Sequence, residues 1–105
     1  MPSKVKVTVV RVMSPQDVYG DKVPAIQGKA VTVPCQMFKE GDEYIVDENA
    51  NCPPGFCHWA YTDIHRDLAH LTLDGDFPWV GEKGVTLACC TDGFRPVCFR
   101  LERIK

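Results

Sequence analysis

Positive charge is scarce in this chain and nowhere concentrated. Its 12 Lys and Arg are outnumbered by 14 Asp and Glu, and the net charge is −2. Nucleic-acid binding draws its affinity from released counterions and wants a clustered basic face. Only Lys4 and Lys6 near one end, and Arg100, Arg103 and Lys105 near the other, come together; both groups read as solvated strand faces. Long apolar runs are missing too. Lys6, Thr8 and Arg11 interrupt the valines of the first segment, so it is neither a signal-peptide core nor a membrane span. No Gly-rich phosphate loop follows a strand, and neither His-Glu-x-x-His nor Gly-x-Ser-x-Gly occurs, which removes three familiar catalytic signatures. There are no internal repeats. The expectation is a cytoplasmic protein without nucleic-acid or membrane partners.

What the chain does have is six cysteines in 105 residues. The count would suit three disulfides in an oxidising compartment, but nothing reads as an export signal, and in the cytoplasm thiols stay reduced. Adjacent Cys89 and Cys90 could bridge each other only with strain. Free or metal-bound thiols are therefore favoured.

A chain this short most economically forms one domain, residues 1–105. Val5, Val7 and Val9 alternate with Lys6 and Thr8, and then Val10 and Val12 change parity, which predicts a strand with a bulge near Val9-Val10. Residues 14–30 carry prolines and glycines without a period and read as a long loop. Ala30 to Cys35 reads as a short strand, and Glu43 to Asp47 as another. After Pro53-Pro54-Gly55, the residues Ala60, Ile64, Leu68 and Leu71 recur at helical spacing. Asp74-Gly75 stops that helix, Gly75 supplying the left-handed residue. Val85 to Cys90 and Pro96 to Ile104 read as strands of a hairpin. The order β-β-β-α-β-β predicts an α+β domain: a small, curved, mostly antiparallel sheet with one main helix packed on it. Such a sheet leaves a face or an edge to cover, so a homo-oligomer is expected.

Three chemistries compete for the cysteines. A zinc or iron–sulfur site wants four thiolate or imidazole ligands, commonly as two close pairs. Cys52 and Cys57 could be one pair and Cys89 and Cys90 the other, with Cys35 or His58 in reserve, although successive strand residues point to opposite faces. Alternatively Cys57, at the helix start where free N–H groups and the dipole favour a thiolate, is a nucleophile. Its neighbour His58 is adjacent in sequence, which does not make it a partner in space. Or the thiols simply pack as small apolar groups, a reading that suits Cys98, set between Val97 and Phe99. The aromatics Phe56, Trp59, Phe77, Trp79 and Phe94 crowd the same segments. They read either as core or as the wall of a small-molecule pocket with thiols at its floor, Arg95 and Asp92 supplying polar handles. Asp63 and Asp67 read as a solvated helix face.

Three stretches carry a resemblance: Pro53-Pro-Gly-Phe-Cys-His-Trp-Ala60, Gly75-Asp-Phe-Pro-Trp79 and Ala88-Cys-Cys-Thr-Asp-Gly-Phe-Arg-Pro-Val-Cys-Phe99. In these motifs the chain resembles a family of short prokaryotic proteins, common in anaerobic bacteria and archaea, that has no established activity. The resemblance implies that Cys35, Cys57, Cys89 and Cys90 are the family-type cysteines, with Trp59, Trp79, Asp92, Gly93, Arg95 and Pro96. It sets Cys52 and Cys98 aside as incidental. The resulting expectation is a four-thiolate metal or cluster site at Cys35, Cys57, Cys89 and Cys90, beside Trp59, Trp79 and Arg95. A non-catalytic interaction or ligand-binding module is the first alternative, and a redox protein or enzyme using Cys57 the second. Four thiolates on one zinc, at about 2.3 Å each, must lie within about 4 Å of one another.

Overall fold

A computed structural model describes residues 2–26, 28–30 and 34–104. The elements in order are β1 (Lys4–Val12), α1 (Pro15–Tyr19), β2 (Ala25–Ile26), β3 (Lys29–Ala30), β4 (Glu43–Val46), α2 (His58–Thr72), β5 (Val85–Cys89) and β6 (Val97–Ile104). Four strands make one sheet in the order β4-β1-β6-β5, and every neighbouring pair is antiparallel. The domain is α+β, with α2 against β1, β5 and β6.

The period-2 pattern of β1 does what alternation predicts. Val5, Val7 and Val9 are buried toward α2, while Lys6 and Thr8 face the other way. The β1–β6 register shifts between Val9 and Arg11. That bulge sits at the parity change of the sequence and lets Val12 pair with Val97. From β6, Val97, Phe99 and Leu101 join the same core, and α2 closes it with Ala60, Ile64, Leu68 and Leu71. Phe38, Phe56, Phe99 and Tyr44 form an aromatic cluster at one end, with Phe38–Phe56 centroids 5.0 Å apart and Tyr44–Phe56 4.9 Å. Of the aromatics in the motif segments, Phe56 is thus core. Trp59 and Trp79 stay 67% and 78% exposed.

The 14–30 stretch is not a plain loop. Ser14 accepts the Asp17 N–H, and the Asp17 carboxylate accepts the Ser14 N–H in return, a capping box that starts α1 with Pro15 in its first turn. The signal was Ser-Pro-x-Asp, hidden by the absence of any apolar period. β2 and β3 form a two-stranded hairpin further on. The expected strand over Ala30 to Cys35 falls partly on 31–33, outside the described residues; Ala30 belongs to β3, and Pro34 and Cys35 are in no strand.

The end of α2 departs from expectation in an instructive way. Asp74, not Gly75, takes the left-handed conformation, with φ 70°. Its N–H donates to the Leu71 carbonyl at 3.1 Å, and the Gly75 N–H donates to the His70 carbonyl at 2.8 Å, the double bond pattern of a Schellman cap. Gly75 is needed for space: a Cβ there would stand 2.4 Å from the His70 ring. Arg103 of β6 completes the end. Its Nη1 donates to the Gly75 carbonyl at 2.7 Å, and its Nη2 to the Asp76 carboxylate at 2.9 Å.

Candidate functional site

Cys35, Cys57 and Cys90 line one cavity of about 410 Å³, beside Phe38, Trp59 and Arg95. Three elements bring them there. Cys57 is the N-cap of α2, its backbone extended at φ −66° and ψ 123°, and its side chain caps nothing. Cys35 lies on the segment leading to buried Phe38. Cys90 is the residue after β5, on the helix-facing side of the sheet, and is buried. The wall is mostly apolar, closed by Met37, Ala60 and Val97, and the rim is polar at Thr91, Asp92 and Arg95.

Cys90 occupies an unusual place in the ladder. Its N–H donates to the Val97 carbonyl at 3.0 Å, but the Val97 N–H returns to the Cys90 sulfur, at 3.2 Å, where a carbonyl would ordinarily accept. Burial pushes the Cys90 thiol up. Backbone hydrogen bonds from Asp92 and Val97 pull it back in part, while the nearby Asp92 carboxylate and Cys35 add to the rise. A sulfur that accepts a backbone amide is pre-arranged to carry negative charge, yet burial keeps it protonated at neutral pH.

The turn that carries Cys90 is held from three directions. Asp63 on α2 accepts the Thr91 N–H at 2.7 Å and its hydroxyl at 3.0 Å. Asp63 is thus a structural clamp and not the solvated residue its spacing suggested. Within the turn, Asp92 Oδ1 accepts the Phe94 N–H at 2.9 Å, and Oδ2 faces Arg95 Nε at 3.4 Å. The Tyr19 hydroxyl of α1 donates to the Gly93 carbonyl at 2.6 Å. The role of Asp92 as a turn former was legible from Asp-Gly; the Asp63 and Tyr19 contacts, made across 28 and 74 residues, had no local signal.

The remaining expected residues lie elsewhere. Cys89 is exposed on the sheet face opposite Cys90, as strand alternation requires; it does not join Cys35 and Cys57. Trp79 stands near the other end of α2, by His70 and Phe77, in a separate cavity of about 340 Å³. Among the described residues no three His, Cys, Asp or Glu side chains are grouped so as to hold a metal ion. Cys52 packs against the core near Cys57, and burial and then that neighbour push its thiol up. Among the hydrogen bonds of the described residues, none joins Cys57 to a histidine or carboxylate. His58 is exposed, and the His65 ring lies against Tyr61.

Fold and site together define a small α+β domain with a thiol-lined cavity between a helix N-terminus and a hairpin turn. No protein-family model matches the chain, and neither a curated protein nor a solved structure matches it. No helix among the described residues is long and apolar enough to cross a membrane.

Proposed function

We propose that the protein is a small-ligand-binding module, and that the cavity bounded by Cys35, Cys57, Trp59, Cys90 and Arg95 is its site. The observation that carries this is the convergence of three separate segments on one apolar cavity with Arg95, paired to Asp92, as the cation at its rim among the described residues. Small-molecule sites are concave and mostly apolar, with a few polar groups that fix orientation. The ligand that suits this wall has an aromatic or otherwise soft, apolar body, to lie on Trp59 and the sulfurs, and one anionic group directed at Arg95.

Anilinonaphthalene sulfonate has that chemistry and reports its own binding by fluorescence. Saturable binding, weakened at least tenfold by Trp59→Ala and by Arg95→Gln and unaffected by Trp79→Phe, is the expected result. Equal affinity in all three variants would remove the basis of this reading.

One observation favours a second reading, capture of a thiophilic cation such as zinc or iron, or of an iron–sulfur cluster. The Cys90 sulfur already accepts the Val97 backbone amide, an arrangement that supports metal-bound thiolates. Cys35, Cys57 and Cys90 would be the ligands, after a rearrangement that draws the three sulfurs together. Elemental analysis and a visible spectrum of anaerobically purified protein separate the two readings. A stoichiometric metal lost in Cys90→Ala supports the cation; metal-free protein that binds the dye supports the first.

A further inference from the structure

Of the three cysteines outside the cavity, two stand opposite each other in the sheet. Cys89 of β5 pairs with Cys98 of β6 in the antiparallel register. The hydrogen-bond pattern identifies the kind of pair. Gly84 and Arg103 are bonded through their backbones, the Arg103 N–H donating to the Gly84 carbonyl at 2.7 Å, and Cys90 donates to Val97 at 3.0 Å. Bonded and non-bonded pairs alternate along an antiparallel ladder. Counting between those two places, Cys89 and Cys98 are a non-hydrogen-bonded pair, the kind in which opposite side chains stand closest.

Both side chains are on the sheet face away from α2. Val97 and Phe99, which flank Cys98, are wholly buried against the helix, so Cys98 faces the other way, as Cys89 does. Cys89 is exposed and Cys98 half-buried. Burial and then the neighbouring Cys89 push the Cys98 thiol up. Opposite Cβ atoms of such a pair are about 4.5–5.5 Å apart, and a disulfide needs about 3.5–4.5 Å. Strand twist and a small approach of the two backbones cover that difference. The bond would form under mild strain, which marks reversible disulfides more than permanent ones.

We infer that Cys89 and Cys98 are a redox-active dithiol that closes to a cross-strand disulfide when a small-molecule disulfide is available. The Cys89 thiolate, the more accessible, attacks one sulfur of the small disulfide. A mixed disulfide forms and one small thiolate leaves. Cys98 then gives its proton to water, and its thiolate attacks the Cys89 sulfur, expelling the second small thiolate. Both leaving groups are protonated by solvent. Two electrons have passed from the protein to the small disulfide, which ends as two thiols. The pair is independent of the ligand cavity, since it lies on the opposite face of the sheet.

The test uses the intact chain. Anaerobically reduced protein is incubated with glutathione disulfide, quenched in acid, alkylated and digested without reductant. The expected result is loss of two of the six free thiols, with one dominant cross-linked peptide joining Cys89 to Cys98, fully reversed by dithiothreitol. In Cys98→Ser, Cys89 is expected to accumulate as the glutathione mixed disulfide instead. A stable mixed disulfide at Cys89 in the wild-type chain, a dominant bridge between other cysteines, or six thiols left free after prolonged oxidation would each overturn the assignment.

Discussion

Asp63 on α2 grips Thr91, accepting its backbone N–H at 2.7 Å and its hydroxyl at 3.0 Å. This ties the helix to the residue after Cys90, so the two sides of the cavity keep their spacing. Replacing Asp63 by Ala removes a charge-assisted contact at a partly exposed place, at a cost of about 1 kcal/mol. The sharper expectation concerns access. Alkylation of Cys90, resolved by peptide mapping, should speed up at least tenfold in Asp63→Ala. An unchanged rate would mean that other contacts hold the turn.

The cap of α2 separates two roles normally filled by one glycine. Gly75→Ala drives a methyl into the His70 ring and should destabilise by about 1–3 kcal/mol, the ordinary range for overpacking. Asp74→Gly relieves a left-handed residue and should be neutral or stabilising by up to about 1 kcal/mol, less whatever the exposed Asp74–Arg103 contact at 3.5 Å contributes. Urea denaturation of both variants checks this. The opposite order of stabilities would show that Asp74 is the residue the cap depends on.

Alkaline pH should weaken the fold. Burial raises the thiols of Cys90, Cys52 and Cys98 above their ordinary value of 9.0. The folded state then holds these protons to higher pH than the unfolded chain does. Their contribution is complete below the ordinary thiol value and is lost as pH rises through the raised ones. Tyr44 and Tyr61 are raised too and act further up the scale. Urea midpoints taken from neutral pH up to about pH 10 should fall, and Cys90→Ala should fall less steeply than wild type. Parallel slopes would assign the loss to the other groups.

Acid has a separate target. Hydrogen bonds from Arg103 and from the Gly84 N–H hold the Asp76 carboxyl below its ordinary range. Its contribution is present above the ordinary carboxylate value and disappears as pH falls through the lowered one. Asp76→Asn should flatten the acid limb of the stability profile, and high salt should do so only weakly, because Arg103 is largely buried with a side-chain exposure of 11%.

Much of the fold could be read from periodicity, and the exceptions share a cause. The strands β1, β4 and β6 and the helix α2 each carry their own alternation or 3.6-residue stripe, and the bulge of β1 is written in the parity change at Val9-Val10; β5 is the exception, since it buries Thr86 and exposes Leu87. α1 escaped because its evidence is a cap and not a stripe. Asp74 and Gly75 exchanged roles because the His70 ring, a tertiary neighbour, decided which of them could carry a side chain. The site was legible as a set of segments, Cys57 at a helix start and Cys90 before a turn. The separation of Cys89 from Cys90 followed from strand parity, but only once β5 was known to run as far as Cys89. Asp63 could not have been foreseen, since a carboxylate on a helix face looks the same whether it meets water or Thr91.

The two central strands of the sheet are β1 and β6, and their register sets Lys4 beside Ile104. During synthesis, then, β1 cannot gain its pairing with β6 until nearly all of the intervening chain has been made. Loop closure over nearly the whole chain precedes the principal pairing, which makes folding slow for a domain of this size. Until β6 pairs, the edge of β1 is exposed to unwanted strand partners, so the long separation of the two central strands is also an aggregation hazard during folding.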